Sequence, residues 1–455
     1  MLQFHTTPGS LPGHCPRPAH CNRSADGRMK FPISVRTYLK LLAAIQAGFL
    51  AAFAAMALTA ALPSDPSADP PSVSALPASG LLSKREVRAL LSEAPFLNLQ
   101  QSSFDLRQGR ATYTVRTTLD LELQRLLLQR LDLKNSRYVG IVVMDSQNGR
   151  VLAMVGHDRT DPSRNPCIES RFPAASVFKI ITAAAAVETY DLDSGSVLTY
   201  SGGKHTLYKS QIQDKNTKAT TRTTLKESFA QSINPVFGKL GANALGKDVI
   251  AAYAEAFGFN REFDFELPAR PSRIELSDEP FDLAEIASGF NRTTLISPLH
   301  GALIAAAIVN GGRPVEPTIV EEITAENGCA IYRGQTVFQK QAIDPETSRV
   351  LSELMQATVR SGTASREFNK HADRKLFARL DIGGKTGSIS DGTPDARYDW
   401  FVGYARENQG EARIVFAVVV AHEEFIGTRA SAYAAMAIKA YFRSHFAAAA
   451  QEPHS

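Results

Sequence analysis

The sequence predicts an α+β fold in which an antiparallel sheet is flanked by helices and interrupted by a largely helical insert. Two β-rich apolar segments, 138–144 and 150–155, flank Asn148-Gly149, a dipeptide typical of tight hairpin turns. Three further strand-like segments follow late in the chain, at 380–390, 398–405 and 413–421. Because strands from both ends must bury their apolar faces together, we expect the early hairpin to join the last three strands.

The remaining elements follow from helix periodicity and capping residues. Residues 84–108 are expected to form a short helix up to residue 93 and then a polar connection, and 111–118 a strand. Asp120 is placed to cap the next helix, and Pro235 to open a later one. The other predicted helices cover 120–131, 176–188, 224–231, 247–257, 281–309 with a break at Ser297-Pro298, 347–360 and 431–446.

The charge distribution argues against a nucleic-acid partner. The 455 residues carry a net charge of +4, but residues 1–40 hold six bases and one acid. The rest of the chain is therefore close to neutral, without the basic surface that phosphate backbones require.

The segment 41–62 is predicted to be a transmembrane helix. Its 22 residues carry no charge, and at about 1.5 Å per residue a helix of this length spans about 33 Å, enough for a bilayer core. Basic residues precede it, so 1–40 is expected to be a cytoplasmic tail and the rest to lie on the periplasmic side of the inner membrane. A cleaved signal peptide is the competing interpretation, and translation from Met29 is a further hypothesis.

Beyond this helix we expect a linker, a short extension and one catalytic domain. Residues 63–83 are rich in Pro, Ser and Ala and predict a linker. The extension is assigned to 84–111, the domain to 112–446 and a C-terminal tail to 447–455.

The cysteines and histidines do not predict a metal site. Cys15 and Cys21 each follow a histidine, but this is a weak zinc signal. Cys167 and Cys329 fall in the oxidising compartment, where a disulfide and free thiols both remain open. The other histidines considered show no ligand spacing and are interpreted as structural or surface residues: His157, His205, His300, His371 and His422.

Ser176 and Lys179 are the first candidates for catalysis. They lie three residues apart at the start of an Ala-rich helix, so both face the same side with β-carbons about 5–6 Å apart. An amine kept unprotonated by burial or by a second cation can activate a serine hydroxyl. A helix-capping serine beside a solvated lysine is the alternative interpretation.

Two later segments supply further candidates. Ser232-Ile-Asn234 lies in a connection between helices, where its side chains can line a cleft. Gly383-Gly-Lys-Thr-Gly-Ser388 places a cation and hydroxyls on a glycine-rich strand, whose edge can pair with an extended peptide. No helix follows it, so it does not match a phosphate loop.

With Ser-x-x-Lys, Ser-x-Asn and Lys-Thr-Gly in this order, the chain resembles the penicillin-binding protein transpeptidases, in the serine D,D-peptidase and β-lactamase superfamily. The resemblance covers about 112–445 and implies that superfamily's fold. Other segments are similar to the same family: Arg116-Thr-Thr-Leu-Asp120, Gly149-Arg-Val-Leu-Ala-Met154, Ser297-Pro-Leu-His300, Ser361-Gly-Thr-Ala364 and Trp400-Phe-Val-Gly-Tyr404.

The resemblance implies a peptidoglycan D,D-transpeptidase that is inhibited by β-lactams and needs no metal or cofactor. Ser176 would be the nucleophile, Lys179 its base and Ser232 the proton relay to the leaving amine. Asn234 would bind the substrate amide. Lys385, Thr386 and Ser388 would hold the terminal carboxylate, and the backbone N–H groups of Ser176 and Ser388 would form the oxyanion hole.

The resemblance also has departures. Ser388 stands where Thr is common, and Ser288-Gly-Phe-Asn-Arg292 replaces a Gly-Gln-Gly-like segment. No glycosyltransferase region fits before residue 112, so a membrane glycan polymerase is the expected partner. A D,D-carboxypeptidase, a β-lactamase or β-lactam sensor and a non-enzymatic wall scaffold remain alternatives.

Overall fold

The computed structural model describes residues 81–213, 220–390 and 396–451. The predicted transmembrane helix, Cys15 and Cys21 lie outside these residues, as does nearly all of the predicted linker. In the described part of the chain, no helix has both the length and the apolar character needed to span a bilayer.

The central element is a five-stranded antiparallel sheet with the order β11-β12-β13-β3-β4. Its strands are β3 (Ser136–Asp145), β4 (Val151–Asp158), β11 (Leu380–Ser390), β12 (Arg397–Glu407) and β13 (Arg413–His422). The hairpin β3-β4 pairs with β13, from Ile414 opposite Asp145 to Val419 opposite Gly140. This confirms the prediction that the early hairpin joins the last three strands, and it leaves β11 at one edge of the sheet.

The helices enclose this sheet and form the insert. They are α1 (Lys84–Leu90), α2 (Leu121–Gln129), α3 (Lys179–Tyr190), α4 (Leu225–Ala230), α5 (Asn234–Lys239), α6 (Gly246–Ala256), α7 (Pro280–Ser288), α8 (Pro298–Val309), α9 (Pro345–Arg360), α10 (Ser365–Phe368), α11 (Arg374–Phe377) and α12 (Ala430–Ala449). Short strands β5 (Phe172–Pro173), β6 (Val197–Ser201), β7 (Thr220–Thr224) and β8 (Leu295–Ile296) connect them.

Two apolar cores lie on opposite faces of the sheet. One face packs on α2 and α12, whose buried side chains include Leu127 and Phe442. The other face packs on α8, which is buried along its whole length between the sheet and the insert. This second core continues into α3, so the residues at the start of α3 are held against the sheet.

Capping residues begin several helices where the sequence predicts. Asp120 Oδ1 accepts hydrogen bonds from the backbone N–H groups of Glu122 (3.0 Å) and Leu123 (3.1 Å). Ser297 caps α8 through the N–H of His300, and Pro298 opens it. The break within 281–309 is longer than predicted, because α7 already ends at Gly289, a left-handed residue.

A second sheet was not predicted. Its order is β1-β2-β9-β10, from β1 (Ser103–Gln108), β2 (Ala111–Thr117), β9 (Val320–Ala325) and β10 (Ala330–Arg333). The prediction of a polar connection up to residue 108 is therefore wrong at Ser103–Gln108, which forms β1. Its apolar alternation is limited to the two partly buried residues Phe104 and Leu106, and the strand is held by pairing with β2.

Cys167 and Cys329 do not pair with each other. Both are free thiols; Cys167 is fully buried and Cys329 is exposed. Burial raises the pKa of Cys167 to about 12. The free-thiol alternative therefore applies to both positions, although only one of them is buried.

Candidate active site

Ser176 and Lys179 adopt the geometry that their spacing predicts. Ser176 lies in a 3₁₀ turn, Ala175–Phe178, that leads directly into α3. Its Oγ is 2.8 Å from Lys179 Nζ. Ala175, just before the serine, has φ of +48°, a strained value for a residue with a side chain. Such strain persists only where the surroundings impose it, and here it lies next to the partly buried Ser176.

The Lys179 amine is fully buried and has three polar neighbours. Besides Ser176 Oγ, it donates to Asn234 Oδ1 at 2.8 Å and to the carbonyl oxygen of Ser288. Burial, reinforced by the charge of Lys385, lowers the pKa of Lys179 well below its ordinary value. A neutral amine has two N–H groups and one lone pair. Since Asn234 Oδ1 and the Ser288 carbonyl only accept, the neutral form of the amine has its lone pair left for the Ser176 hydroxyl.

Ser232 and Asn234 enter the same pocket from the connection between α4 and α5. Ser232 has φ of +56°, and both residues are buried. Asn234 Nδ2 donates to the carbonyl of His205 at 2.9 Å, which fixes the amide so that Oδ1 faces Lys179. Both polar groups of this side chain are therefore engaged within the protein, whereas the predicted role for Asn234 was a contact with substrate.

Lys385 of β11 completes the pocket. It is fully buried, and its Nζ donates to Ser232 Oγ and to the carbonyl of Thr386, each at 3.0 Å. Burial lowers the pKa of Lys385 to about 7. The ring of Phe229 lies 5.4 Å from the amine. This aromatic face stabilises the cation when it forms.

The edge of β11 lies against the turn that carries the nucleophile. A β-carbon added at Gly387 would be 3.3 Å from the backbone nitrogen of Ser176. The backbone of Ser388 therefore lies next to that of Ser176, as an oxyanion hole requires. Ser388 is exposed, and its Oγ is 3.4 Å from Asp399 Oδ1. Thr386 Oγ1 is 2.5 Å from Thr363 Oγ1.

The structure thus brings all the sequence-predicted candidates into one cleft. Sequence reasoning missed four neighbours as individual residues: Ser288, Thr363, Asp399 and His205. Ser288 lies in the segment that departs from the family pattern, and Thr363 lies in one of the segments that resemble it. The Ser288 contact is made by a backbone carbonyl, which no pattern of side chains can predict. Burial lowers the pKa of His205, whose carbonyl orients Asn234.

The remaining histidines do not assemble a metal site. His300 is buried and its Nε2 is 2.8 Å from the carbonyl of Phe257, a structural contact. In 81–213, 220–390 and 396–451, no group of three potential ligands from His, Cys, Asp and Glu is close enough to hold a metal.

Gly289 is the residue on which the nucleophile turn rests. It has φ of +65°, and an added β-carbon would lie 1.8 Å from the carbonyl oxygen of Ala175. We expect Gly289→Ala to destabilise the protein by about 2–4 kcal/mol, from left-handed strain plus overpacking, and to slow acylation of Ser176 at least about tenfold. Thermal unfolding and a penicillin-labelling rate measure the two effects.

Gly311 is a matched control for that substitution. Its φ is +64°, with no atom within 4 Å of an added β-carbon. Gly311→Ala should therefore cost only the backbone term, about 1–2 kcal/mol, and leave acylation unchanged. Equal effects of the two substitutions would contradict the steric role of Gly289.

Comparison with known families identifies the chain. Residues 139–442 match the family model described as the penicillin binding protein transpeptidase domain. The chain belongs to this family. The family resemblance that the motifs predict is therefore confirmed over most of the chain.

Individual relatives of this family are distant. Stage V sporulation protein D of Bacillus subtilis is 26% identical over 298 residues, covering 61% of this chain and 45% of that protein. Peptidoglycan D,D-transpeptidase PbpA of Mycobacterium tuberculosis is 25% identical over 306 residues, covering 58% of each. The chain thus spans about half the length of these curated relatives.

The same fold is found among solved structures. The D,D-transpeptidase domain of a peptidoglycan glycosyltransferase from Eggerthella lenta is similar with a TM-score of 0.60 and 25% identity. The match covers 73% of this chain and 83% of that one. The predicted α+β transpeptidase fold is confirmed.

Proposed function

We propose that this protein is a peptidoglycan D,D-transpeptidase that acts through a serine acyl-enzyme. One observation carries the proposal: the fully buried Lys179 amine, whose pKa burial lowers well below its ordinary value, lies 2.8 Å from the Ser176 hydroxyl. That arrangement generates a serine nucleophile at neutral pH, and it occurs in a chain of the transpeptidase family.

In the first half-reaction, Ser176 Oγ attacks the carbonyl between the two terminal D-alanines of a stem peptide. Its proton passes to Lys179, and the oxyanion is stabilised by the N–H groups of Ser176 and Ser388. As the C–N bond breaks, Lys179 gives that proton up and it reaches the leaving amine through Ser232, which accepts a hydrogen bond from Lys385. The products are an ester on Ser176 and free D-alanine.

Substrate orientation follows from charge. In its protonated form Lys385 attracts the terminal carboxylate, and the hydroxyls of Thr386 and Ser388 lie on the same strand to hydrogen-bond it. Asn234 aligns Lys179 through Oδ1, and we propose that its amide also borders the donor peptide. The hydroxyl of Thr363 contacts that of Thr386, so it adds a third hydroxyl to those of Thr386 and Ser388.

In the second half-reaction, the amine of a neighbouring stem attacks the ester and forms the cross-link, returning the proton to Ser176. A D,D-carboxypeptidase would use water instead. A hydrolytic β-lactamase needs a general base for that water, and the described partners of Ser176 and Lys179 include no carboxylate. This argues against the β-lactamase alternative, whereas amide formation with an added amine is what separates the transpeptidase from the carboxypeptidase.

The proposed setting is the outer face of the inner membrane. Residues 1–40 would be cytoplasmic, 41–62 the single membrane span, 63–83 a linker, 84–111 an extension and 112–446 the catalytic domain, with a tail at 447–455. The stem peptides to be joined are attached to glycan strands, so a membrane glycan polymerase is the proposed partner. β-Lactams, which present a strained amide to the same serine, are the proposed inhibitors.

Labelling of the full chain with a fluorescent penicillin tests the proposal. We expect a stable adduct that is absent in Ser176→Ala, because only that hydroxyl is placed to form the ester. Release of D-alanine from a D-alanyl-D-alanine donor, with formation of an amide when an amine is added, confirms the transfer. Rapid loss of the adduct would instead indicate a β-lactamase, and no adduct a scaffold protein.

A further inference from the structure

The outer edge of β11 is occupied at two carbonyl groups. Lys385 Nζ donates to the carbonyl of Thr386 at 3.0 Å, and Arg292 Nε donates to the carbonyl of Ser390 at 2.7 Å. Alternate residues of a strand direct their N–H and C=O groups to the same edge. Ser388 therefore directs its main-chain N–H and C=O groups to the same edge, between the carbonyls of Thr386 and Ser390 that already accept hydrogen bonds.

The donor peptide must run from Thr386 towards Ser390. Under the proposed function, its terminal carboxylate lies near Lys385 and Thr386, and the reacting carbonyl lies at the N–H of Ser388. The residue preceding the two D-alanines then extends along β11 in the direction of Ser390. Ser388 and Ser390 are about 7 Å apart along the strand, about the length of two extended peptide residues.

Arg292 lies at the end of β11 that the donor residue before the two D-alanines would reach. It belongs to the segment after α7, in which the Ser288 carbonyl contacts Lys179 and Gly289 packs on Ala175. The backbone of this segment is thus tied to the nucleophile turn, and the guanidinium is anchored to β11 through its bond to Ser390. Nε is bonded to the carbonyl of Ser390 and the residue is exposed, so within the described ranges the two terminal nitrogens of the guanidinium are left without a hydrogen-bond partner.

The charge of Arg292 is available to a ligand. Within the described ranges, no carboxylate lies at ion-pairing distance from it. Glu285, on the preceding helix, is close enough for the charge of Arg292 to lower its pKa, but burial has the larger effect and the pKa of Glu285 is raised overall. A guanidinium with two free N–H groups side by side is suited to a planar carboxylate.

We infer that Arg292 binds a carboxylate on the residue that precedes the terminal D-alanyl-D-alanine, so that the enzyme prefers acyl donors with an anionic side chain there. This inference rests on the proposed function. The competing view is that Arg292 only anchors its loop to Ser390, in which case donor charge would have no effect.

The test compares two nearly isosteric donors on the full chain in detergent. N-acetyl-L-glutamyl-D-alanyl-D-alanine carries the carboxylate, and the glutaminyl analogue replaces it with an amide. Release of D-alanine gives kcat/KM for each, with glycinamide as acceptor amine. We expect the wild type to favour the glutamyl donor about threefold to tenfold, mainly through KM, as for a partly exposed ion pair.

Two variants separate recognition from loop anchoring. Arg292→Gln should bring the donor ratio to about one while the glutaminyl donor reacts within about twofold of the wild-type rate. Arg292→Lys keeps the cation and should retain part of the preference. High salt should weaken the wild-type preference, since an exposed pair is screened.

The inference and the proposed function fail in different ways. A wild-type ratio of one, or a preference that survives in Arg292→Gln, overturns the inference even when both donors react. If neither donor releases D-alanine, the ratio is read from their competition with penicillin labelling, and equal competition overturns the inference as well. Absence of both D-alanine release and a penicillin adduct on Ser176 is a failure of the proposed function itself.

Discussion

Acylation of Ser176 by penicillin is expected to fall by about 10³-fold in Lys179→Ala. General-base assistance contributes about 10²–10⁴-fold to such reactions, and the neutral form of Lys179 has its lone pair left for the serine hydroxyl. Without it, the attacking hydroxyl keeps its proton, because among the described residues Lys179 is the hydrogen-bond partner of Ser176 Oγ. Stopped-flow labelling with a fluorescent penicillin measures the rate.

The control must show that the loss is chemical and not structural. Lys226 is an exposed lysine of the same insert, and Lys226→Ala should label at the wild-type rate. The melting temperature of Lys179→Ala should stay close to that of the wild type, because a buried ionisable group is costly to desolvate and its removal offsets the lost contacts. Normal labelling in Lys179→Ala would refute the role of Lys179 as base.

Loss of Lys385 should be nearly as damaging, but only for donors with a free terminal carboxylate. We expect Lys385→Ala to lower kcat/KM about 10²–10³-fold for D-alanyl-D-alanine donors, since a buried charge-assisted contact is lost. A donor ending in D-alaninamide has no carboxylate, so the same substitution should cost it less than about tenfold. Equal losses for both donors would contradict carboxylate binding by Lys385.

The pH profile provides an independent measure of the two lysines. Burial lowers the pKa of Lys385 to about 7, so the cation that binds carboxylate is present below that pH and is lost as the pH rises through it. The pKa of Lys179 is lowered well below its ordinary value, so its neutral form persists into the acid range. For the free enzyme, kcat/KM should therefore be bell-shaped, with an alkaline limb near pH 7.

Lys385→Ala should remove that alkaline limb and leave the acid limb in place. The limb reports the ionisation of a single buried amine, and the acid limb reports Lys179, which is still present. An alkaline limb unchanged in the variant would assign it to another group.

Local sequence patterns were sufficient to predict contacts between residues that are close together in the chain. The contact of Ser176 with Lys179 follows from helical spacing, and the hairpin at Asn148-Gly149 from turn chemistry. The pairing of that hairpin with β13 was also predicted, because long apolar strands leave few ways to bury both faces. The strand β1 was missed because its apolar alternation contains only Phe104 and Leu106, too short a pattern to stand out, and its backbone is satisfied by pairing with β2.

In the candidate site, too, some features were predictable from the sequence and others depend on the fold. Ser-x-Asn occurs three times in the sequence, and only the fold shows that Ser232 and Asn234 lie beside Lys179 and Lys385. The Ser288 carbonyl, the left-handed Gly289 and the placement of Arg292 at the end of β11 depend on how α7 terminates. None of these has a side-chain pattern that a sequence alone reveals.

By itself the sequence determined the family, the central sheet and the set of candidate site residues, because these follow from spacing, periodicity and residue chemistry. Only the tertiary structure decided that Lys179 and Lys385 are both fully buried near each other, that Asn234 and the Ser288 carbonyl contact Lys179, and that Arg292 binds the end of β11. The physical reason is that burial, charge proximity and backbone contacts between distant segments arise only when the chain has folded.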